Sequence, residues 1–217
     1  MKRIALIGAT GFVGSHIMKE LLSRGYPVTA IARSEADVTI KDGNLRVVEV
    51  DVLDTEKLTS VIEDSNIVVS AFNAGWGNPN IYNDYLNGYK SIEKAVDDSN
   101  IDRYIVIGGA GSLYIDGKQI VDGPGFPDKF KGGATAARDY LNKLKENKEL
   151  DWTYFSPAIE MGPHLKIGRT GKYRLGTDEP VLNADGESVL SVEDLAVVIV
   201  DEIEKHQFSR QRFTAGY

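Results

Sequence analysis

Seven residues near the start of the chain, Gly8-Ala9-Thr10-Gly11-Phe12-Val13-Gly14, constrain its fold more than any others. They follow a run at residues 3–7 that is apolar from Ile4 onward. They lead into residues 12–23, where Val13, Ile17, Leu21 and Leu22 share one helical face and Gly25 closes the helix. A strand that turns through three glycines into a helix is the phosphate-binding unit of a dinucleotide fold. The first glycine permits the tight turn, the second lets backbone approach a pyrophosphate, and the third lets helix pack on strand. The pyrophosphate then meets free backbone amides and the positive end of the helix dipole. A glycine triplet alone could mark a mere turn; its place between strand and helix is what points to a cofactor. Gly8, Thr10, Gly11, Phe12, Val13 and Gly14 are therefore expected to line a nicotinamide dinucleotide.

The remaining sequence alternates in the same way. Strands are expected at residues 28–32, 45–50, 67–71, 104–107 and 152–155. Helices are expected up to Ile62 after an Asp54 N-cap, and at 81–97 and 134–148. Strands this apolar, separated by helices, describe a parallel sheet covered on both faces. The expected class is α/β, a Rossmann-type doubly wound parallel sheet with a small C-terminal lobe. The pattern changes after Pro157. Residues 158–190 are rich in Gly, Pro and Asp, with short β-like pieces at 172–175 and 180–182. Ser191-Val192-Glu193-Asp194 then resembles a capping box with Asp as the returning acid, opening a last helix to Lys205. With no repeat and no low-complexity linker, one domain over 1–217 is expected. Its cofactor-binding core is 1–157, and a lobe at 158–217 closes over the sheet edge.

Composition removes several alternatives. The 217 residues include no cysteine, which excludes disulfides, thiolate nucleophiles and zinc–cysteine sites and suits a reducing, cytoplasmic location. His16, His164 and His206, the three histidines, form no ligand-spaced pair, so no metal site is expected. A net charge of −7 argues against a nucleic-acid partner. No apolar run reaches the roughly 20 residues of a membrane span. The basic start, Met1-Lys2-Arg3, is read as the edge of the first strand and not as a signal peptide, because the apolar stretch behind it is too short.

The end of the second strand distinguishes NAD from NADP. NAD proteins usually place an acid there for the ribose 2′-hydroxyl. Here Ala32-Arg33-Ser34 offers a guanidinium and a hydroxyl suited to a 2′-phosphate, so NADP is expected, with NAD the alternative. Asp51-Val52, past the third strand, falls where the adenine edge would lie; Asp51 is equally a turn residue.

Gly8-Ala9-Thr10-Gly11-Phe12-Val13-Gly14 resembles the GxxGxxG fingerprint of extended and atypical short-chain dehydrogenases/reductases. Three later segments extend the resemblance. Ser70-Ala71-Phe72-Asn73-Ala74-Gly75 looks like the family's Asn-Ala-Gly segment. Gly108-Gly109-Ala110-Gly111-Ser112 lies where the family places a catalytic serine or threonine. Ser156-Pro157, with Gly162-Pro163 beyond, resembles the segment that backs the nicotinamide. Residues 168–176 and 212–217 look like the NAD(P)H-flavin reductase branch, close to NmrA-like and biliverdin-reductase-B-like proteins. The resemblance implies that Ala71, Asn73, Gly108, Gly109 and Pro157 line the cofactor groove and that Ser112 is the catalytic polar contact. One departure matters. The family's Tyr-x-x-x-Lys pair is missing: the fourth residue after Tyr140 is Leu144, and Ala136, Ala137 and Arg138 occupy the region.

Hydride transfer to a flavin or small conjugated acceptor survives that loss, because the compensating proton can come from solvent. A non-catalytic NmrA-like redox sensor is the alternative, and a sugar-nucleotide epimerase or dehydratase the weaker one. Phe72, Trp76, Tyr82, Tyr85 and Tyr114 are candidates for a ring-stacking platform, with Trp76 and Tyr114 the expected substrate contacts. Lys129 and Lys131, in the glycine-flanked stretch 126–133, are read as parts of a mobile lid that attracts phosphate, or simply as solvated. The expected partner is a small-molecule substrate; oligomeric state is not legible.

Overall fold

A computed structural model describes all of residues 1–217. Its centre is β1 (Ile4–Ile7), four residues buried on both faces, as the continuous apolar run requires. The chain then passes through α1 (Phe12–Ser23), β2 (Val28–Ala32), β3 (Leu45–Glu49), α2 (Thr55–Ile62) and β4 (Ile67–Ser70). It continues with α3 (Ile81–Asp97), β5 (Arg103–Ile107) and a small hairpin of β6 (Tyr114–Ile115) and β7 (Lys118–Gln119). Then come α4 (Asp128–Leu144), β8 (Trp152–Ser156), β9 (Arg174–Gly176), α5 (Val192–Lys205) and β10 (Gln211–Gly216). The main sheet runs β3-β2-β1-β4-β5-β8-β10-β9, all parallel except the edge strand β9. The Rossmann-type α/β class read from the sequence is the observed one.

Strand periodicity divides the core in two. Ile4 and Leu6 face a cluster with α1 and α5, while Ala5 and Ile7 face the opposite cluster with α2, α3 and α4. The register sets Ile4 beside both Val28 and Ile67, so β1 is flanked by β2 and β4. The sheet order reverses direction between β1 and β4, the switch point where ligands of open α/β sheets bind.

Four local expectations are corrected. The helix expected at 134 begins at Asp128, so the stretch read as a mobile lid is helix from Asp128 onward. Gly132 and Gly133 lie inside it. In the fold a methyl group at Gly133 would lie 2.8 Å from the Trp76 ring and 2.9 Å from Ile81, so these glycines serve close packing. The same helix stops at Leu144, short of 148; the Asn147 carboxamide then accepts from the Glu149 and Leu150 amides in a turn. Residues 180–182 form no strand. The capping box is half made: Ser191 Oγ accepts from Asp194 N at 3.1 Å, but the Asp194 carboxylate turns to the lobe.

The C-terminal region divides between sheet and lobe. α5 packs on α1, and β10 inserts between β8 and β9, with Phe213 stacked face to face on Phe208. Between β8 and α5 only β9 joins the sheet, at its edge, and the rest of that stretch stands off it. No helix is long and apolar enough to cross a membrane, and no cluster of potential metal ligands forms.

Candidate functional site

The glycine loop leaves β1 at the switch point. Gly8 has φ of +76°, a left-handed turn that a side chain would strain, and a methyl there would sit 2.7 Å from the Ala71 carbonyl oxygen. A methyl at Gly14 would collide with the Gly8 carbonyl, so the first turn of α1 rests directly on the loop backbone. Gly11 differs. It is exposed, has an ordinary extended backbone, and would carry a methyl 3.3 Å from the nearest atom. No side chain caps α1 at Gly11, which leaves the amides of its first turn open to a ligand. Thr10 is exposed, as is Phe12, whose ring meets His16 edge-on at 5.6 Å. This cradle of two close-packed glycines around an open third fits a pyrophosphate.

The ends of β2 and β3 lie side by side, joined by a hydrogen bond of 2.9 Å from Val50 N to the Ala32 carbonyl. Arg33 is exposed and forms no ion pair or hydrogen bond with the protein. Ser34 caps the short 3-10 turn Glu35–Asp37 without engaging its hydroxyl. Asp51 is a turn residue: its Oδ1 accepts from Leu53 N at 3.0 Å. The Val52 carbonyl accepts from Ser91 Oγ at 2.5 Å and is thereby tied to α3.

On the other side of the switch point, Ala71 lies against Gly8. Asn73 closes an Asx turn with Gly75 N at 2.7 Å, and its exposed amide NH2 stays free. Gly108 is obligatory, since any side chain there would enter the Tyr154 phenol beneath it. Tyr154 in turn donates to the Ala137 carbonyl at 2.9 Å. Gly109 faces Ala137 across 3.6 Å.

Ser112 is a correction. It is fully buried, and its hydroxyl is shared between the Gly109 carbonyl at 2.8 Å and Ser156 Oγ at 2.9 Å, so it presents nothing to a substrate. The serine holds the β5 loop on β8. Pro157 is buried as well. The five-member aromatic platform also fails to assemble. Phe72 and Tyr85 turn inward onto Tyr89, and the Tyr82 hydroxyl binds Asp139 at 2.9 Å. Tyr114 packs over the Arg212 guanidinium and donates its amide to the Asp178 carbonyl. Trp76 alone stays largely open, 55 % exposed, edge-on to Phe130 at 5.2 Å.

No replacement for the missing tyrosine–lysine pair emerges. Tyr140 is buried, stacked on Tyr89 at 4.3 Å, and burial pushes its pKa well above the ordinary phenol value. Arg138 is held by Asp139 and Asp122, and Lys143 by Glu93. The α4 residues that meet the loop after β5 are Ala137, against Gly109, and Ala134, against Gly111, and neither carries an ionisable group. Phe130 lies in the stretch 126–133 whose sequence suits a lid, and only the helical start at Asp128 brings it against Trp76. His16 and Lys166 were also missed. They line a groove of about 330 Å³ beside the glycine loop, together with Phe12, Pro163, Leu165 and Val192. Only contact between distant segments creates it. A larger hollow, about 620 Å³, is formed wholly by residues 174–182 and touches none of the candidate cofactor residues.

The lobe beside that groove is fastened by Asp194, whose fully buried carboxylate accepts from Thr170 N, Gly171 N, Thr170 Oγ1 and the Tyr217 hydroxyl. Arg169 reaches from the lobe to Glu20 of α1 at 2.9 Å. Residues 162–168 are thus held over the first turns of α1 and α5.

Comparison with known proteins agrees with this geometry. The family model described as NAD(P)H-binding matches residues 8–206. The uncharacterized protein YwnB of Bacillus subtilis is 35% identical over 215 residues, covering 98% of this chain and 97% of its own. A candidate epimerase of known structure from Bacteroides thetaiotaomicron is 39% identical, with a TM-score of 0.91 over 100% of this chain and 97% of that one. A candidate NADH-flavin reductase from Streptococcus pneumoniae is 32% identical, with a TM-score of 0.87 over 100% and 99% of the two chains. The chain belongs to the NAD(P)H-binding family, an atypical short-chain dehydrogenase/reductase with a nicotinamide dinucleotide as its cofactor.

Proposed function

We propose that the protein is an NADPH-dependent reductase of a flavin or similar planar conjugated acceptor. The observation that carries this reading is the face of α4 that meets the loop after β5, where Ala134 and Ala137, against Gly111 and Gly109, offer no proton-donating group. Carbonyl reduction and sugar epimerisation require a positioned acid or base at the reacting oxygen. An electron-poor ring does not, since it takes up a hydride and then a proton from water. Bound cofactor supplies that hydride. The chain contributes the rest: Gly8, Gly11 and Gly14 with the open amides of α1 hold the pyrophosphate, and Arg33 and Ser34 engage the 2′-phosphate. Val52 borders the adenine with Asp51. Ala71, Asn73, Gly108 and Gly109 border the nicotinamide, and the lobe restricts water from one side. The likeness to the Streptococcus pneumoniae protein supports the acceptor class.

The test is anaerobic reduction of FMN by NADPH with the purified protein. A saturable acceleration is expected. None, despite bound NADPH and across a panel of flavins and quinones, would replace this reading with that of a redox sensor.

A further inference from the structure

Trp76 is held open at the surface by a feature its own loop does not explain. Its ring sits in a notch on α4 made by Gly133, where a methyl would lie 2.8 Å from the indole. Phe130, one turn earlier, props the ring edge-on at 79° and is itself 37 % exposed. An isolated pair of glycines in a helix costs about 1 kcal/mol each relative to alanine. The notch therefore trades helix stability for the seating of one aromatic ring that remains more than half exposed. Ala137, one turn further along the same face, abuts Gly109 at the end of β5. The ring thus stands about one helical pitch, roughly 5.4 Å, along α4 from the nicotinamide end of the groove. Lys129 sits over the Phe130 ring, with Nζ 4.6 Å from its centroid, and makes no salt bridge.

We infer that Trp76 and Phe130 form the acceptor subsite, stacking a planar conjugated ring, and that Lys129 selects acceptors carrying an anionic substituent. This rests on the reductase reading but is tested without turnover. The chain has two tryptophans, and the other, Trp152, is buried with its indole N–H on the Asn147 carbonyl. Energy transfer to FMN reaches the buried Trp152 too, so the difference in quenching between the parent protein and Trp76→Phe is what reports Trp76. In the NADPH-analogue-bound protein, FMN is expected to quench most of the exposed-tryptophan emission, and Trp76→Phe to remove that component. Quenching that persists unchanged in Trp76→Phe, or is absent from the parent protein, overturns the subsite. Flavin fluorescence should show FMN binding about tenfold weaker in Trp76→Ala, and also weakened in Gly133→Ala, which crowds the ring while favouring the helix. FMN should bind several-fold tighter than riboflavin, a preference lost in Lys129→Ala; equal binding of the two flavins refutes the anionic selection. Quenching without NADPH oxidation would leave the subsite standing and remove the reductase reading. Turnover unaffected by Trp76→Ala would do the reverse.

Discussion

At the scale of single residues, the three loop glycines are not equivalent, and substitution separates their roles. Gly14 is packed against the Gly8 carbonyl, so Gly14→Val should displace α1 and cost roughly 3 kcal/mol or more of stability. Gly11 is exposed beside the uncapped helix terminus, and a methyl there would meet only the Gly8 carbonyl oxygen, at 3.3 Å. Gly11→Val should keep a Tm near that of the parent protein while abolishing NADPH and NADH binding in a titration. A folded Gly11→Val protein with unchanged affinity would refute the pyrophosphate assignment. Arg33, free of any protein partner, should matter only to the 2′-phosphate. Arg33→Ala is expected to weaken NADPH at least tenfold, about 1.4 kcal/mol, with little change for NADH. Equal losses for both cofactors would remove that role. Ser112 shows why such assignments need a structure: a serine at the family's catalytic position proves to be a buried strut.

At the scale of elements, the parts most legible in sequence are those whose pattern follows their own backbone. α1, β2 and α3 occur at the expected residues because strand and helix periods are local properties. The start of α4 was not legible, since Gly132-Gly133 reads as a break until Trp76 and Ile81 are known to press against it. Asp194 was read as half of a capping box and turned out to anchor a loop 23 residues earlier in sequence. Asp194→Ala would strand the Thr170 and Gly171 amides and the Tyr217 hydroxyl. Unpaired buried donors cost about 1–3 kcal/mol each, partly recovered by water. A net loss of about 3 kcal/mol and a Tm lower by roughly 6–12 °C are expected. Limited proteolysis should then cut within 163–173, and resistance there would show that the loop is held by other contacts.

At the scale of the whole molecule, α1, α5 and the lobe are joined by charge as well as by apolar packing. Arg24 reaches Glu20, Asp201 and Glu204, while Tyr173 and Lys205 also bind Asp201. Burial raises the Asp201 pKa, but hydrogen bonds from Lys205, Tyr173 and Arg24 outweigh it and hold the group at about 2, below its ordinary 3.8. Glu20 is lowered too, chiefly by Arg169 against the penalty of burial. A depressed carboxylate pKa means the unfolded chain binds protons first, so this stability is complete above about pH 4 and disappears as pH falls toward 2. Asp201→Asn should flatten that acid limb of a Tm–pH profile. At the alkaline end the sign reverses. Burial raises Tyr89 to about 12 and pushes Tyr85, Tyr104 and Tyr140 well above the ordinary phenol value, so stability falls as pH rises above 10. The tyrosinate absorbance of Tyr85, Tyr89, Tyr104 and Tyr140 should appear in one cooperative unfolding step, after the exposed tyrosines have titrated; gradual titration of these four in folded protein would contradict their burial.

The sequence by itself determined the strand–glycine–helix unit, the alternation that makes a doubly wound sheet, and the absence of a tyrosine–lysine pair. Each is a matter of residue type and short-range spacing, which the backbone enforces locally. Only the tertiary structure decided that Gln211–Gly216 enters the main sheet and that Ser112 is buried. It alone showed that Phe72 and Tyr85 belong to the core while Trp76 stays open over Gly133. Those outcomes depend on which segments meet across tens of residues. Burial, and with it the chemistry open to a side chain, is a property of the neighbours that the fold supplies.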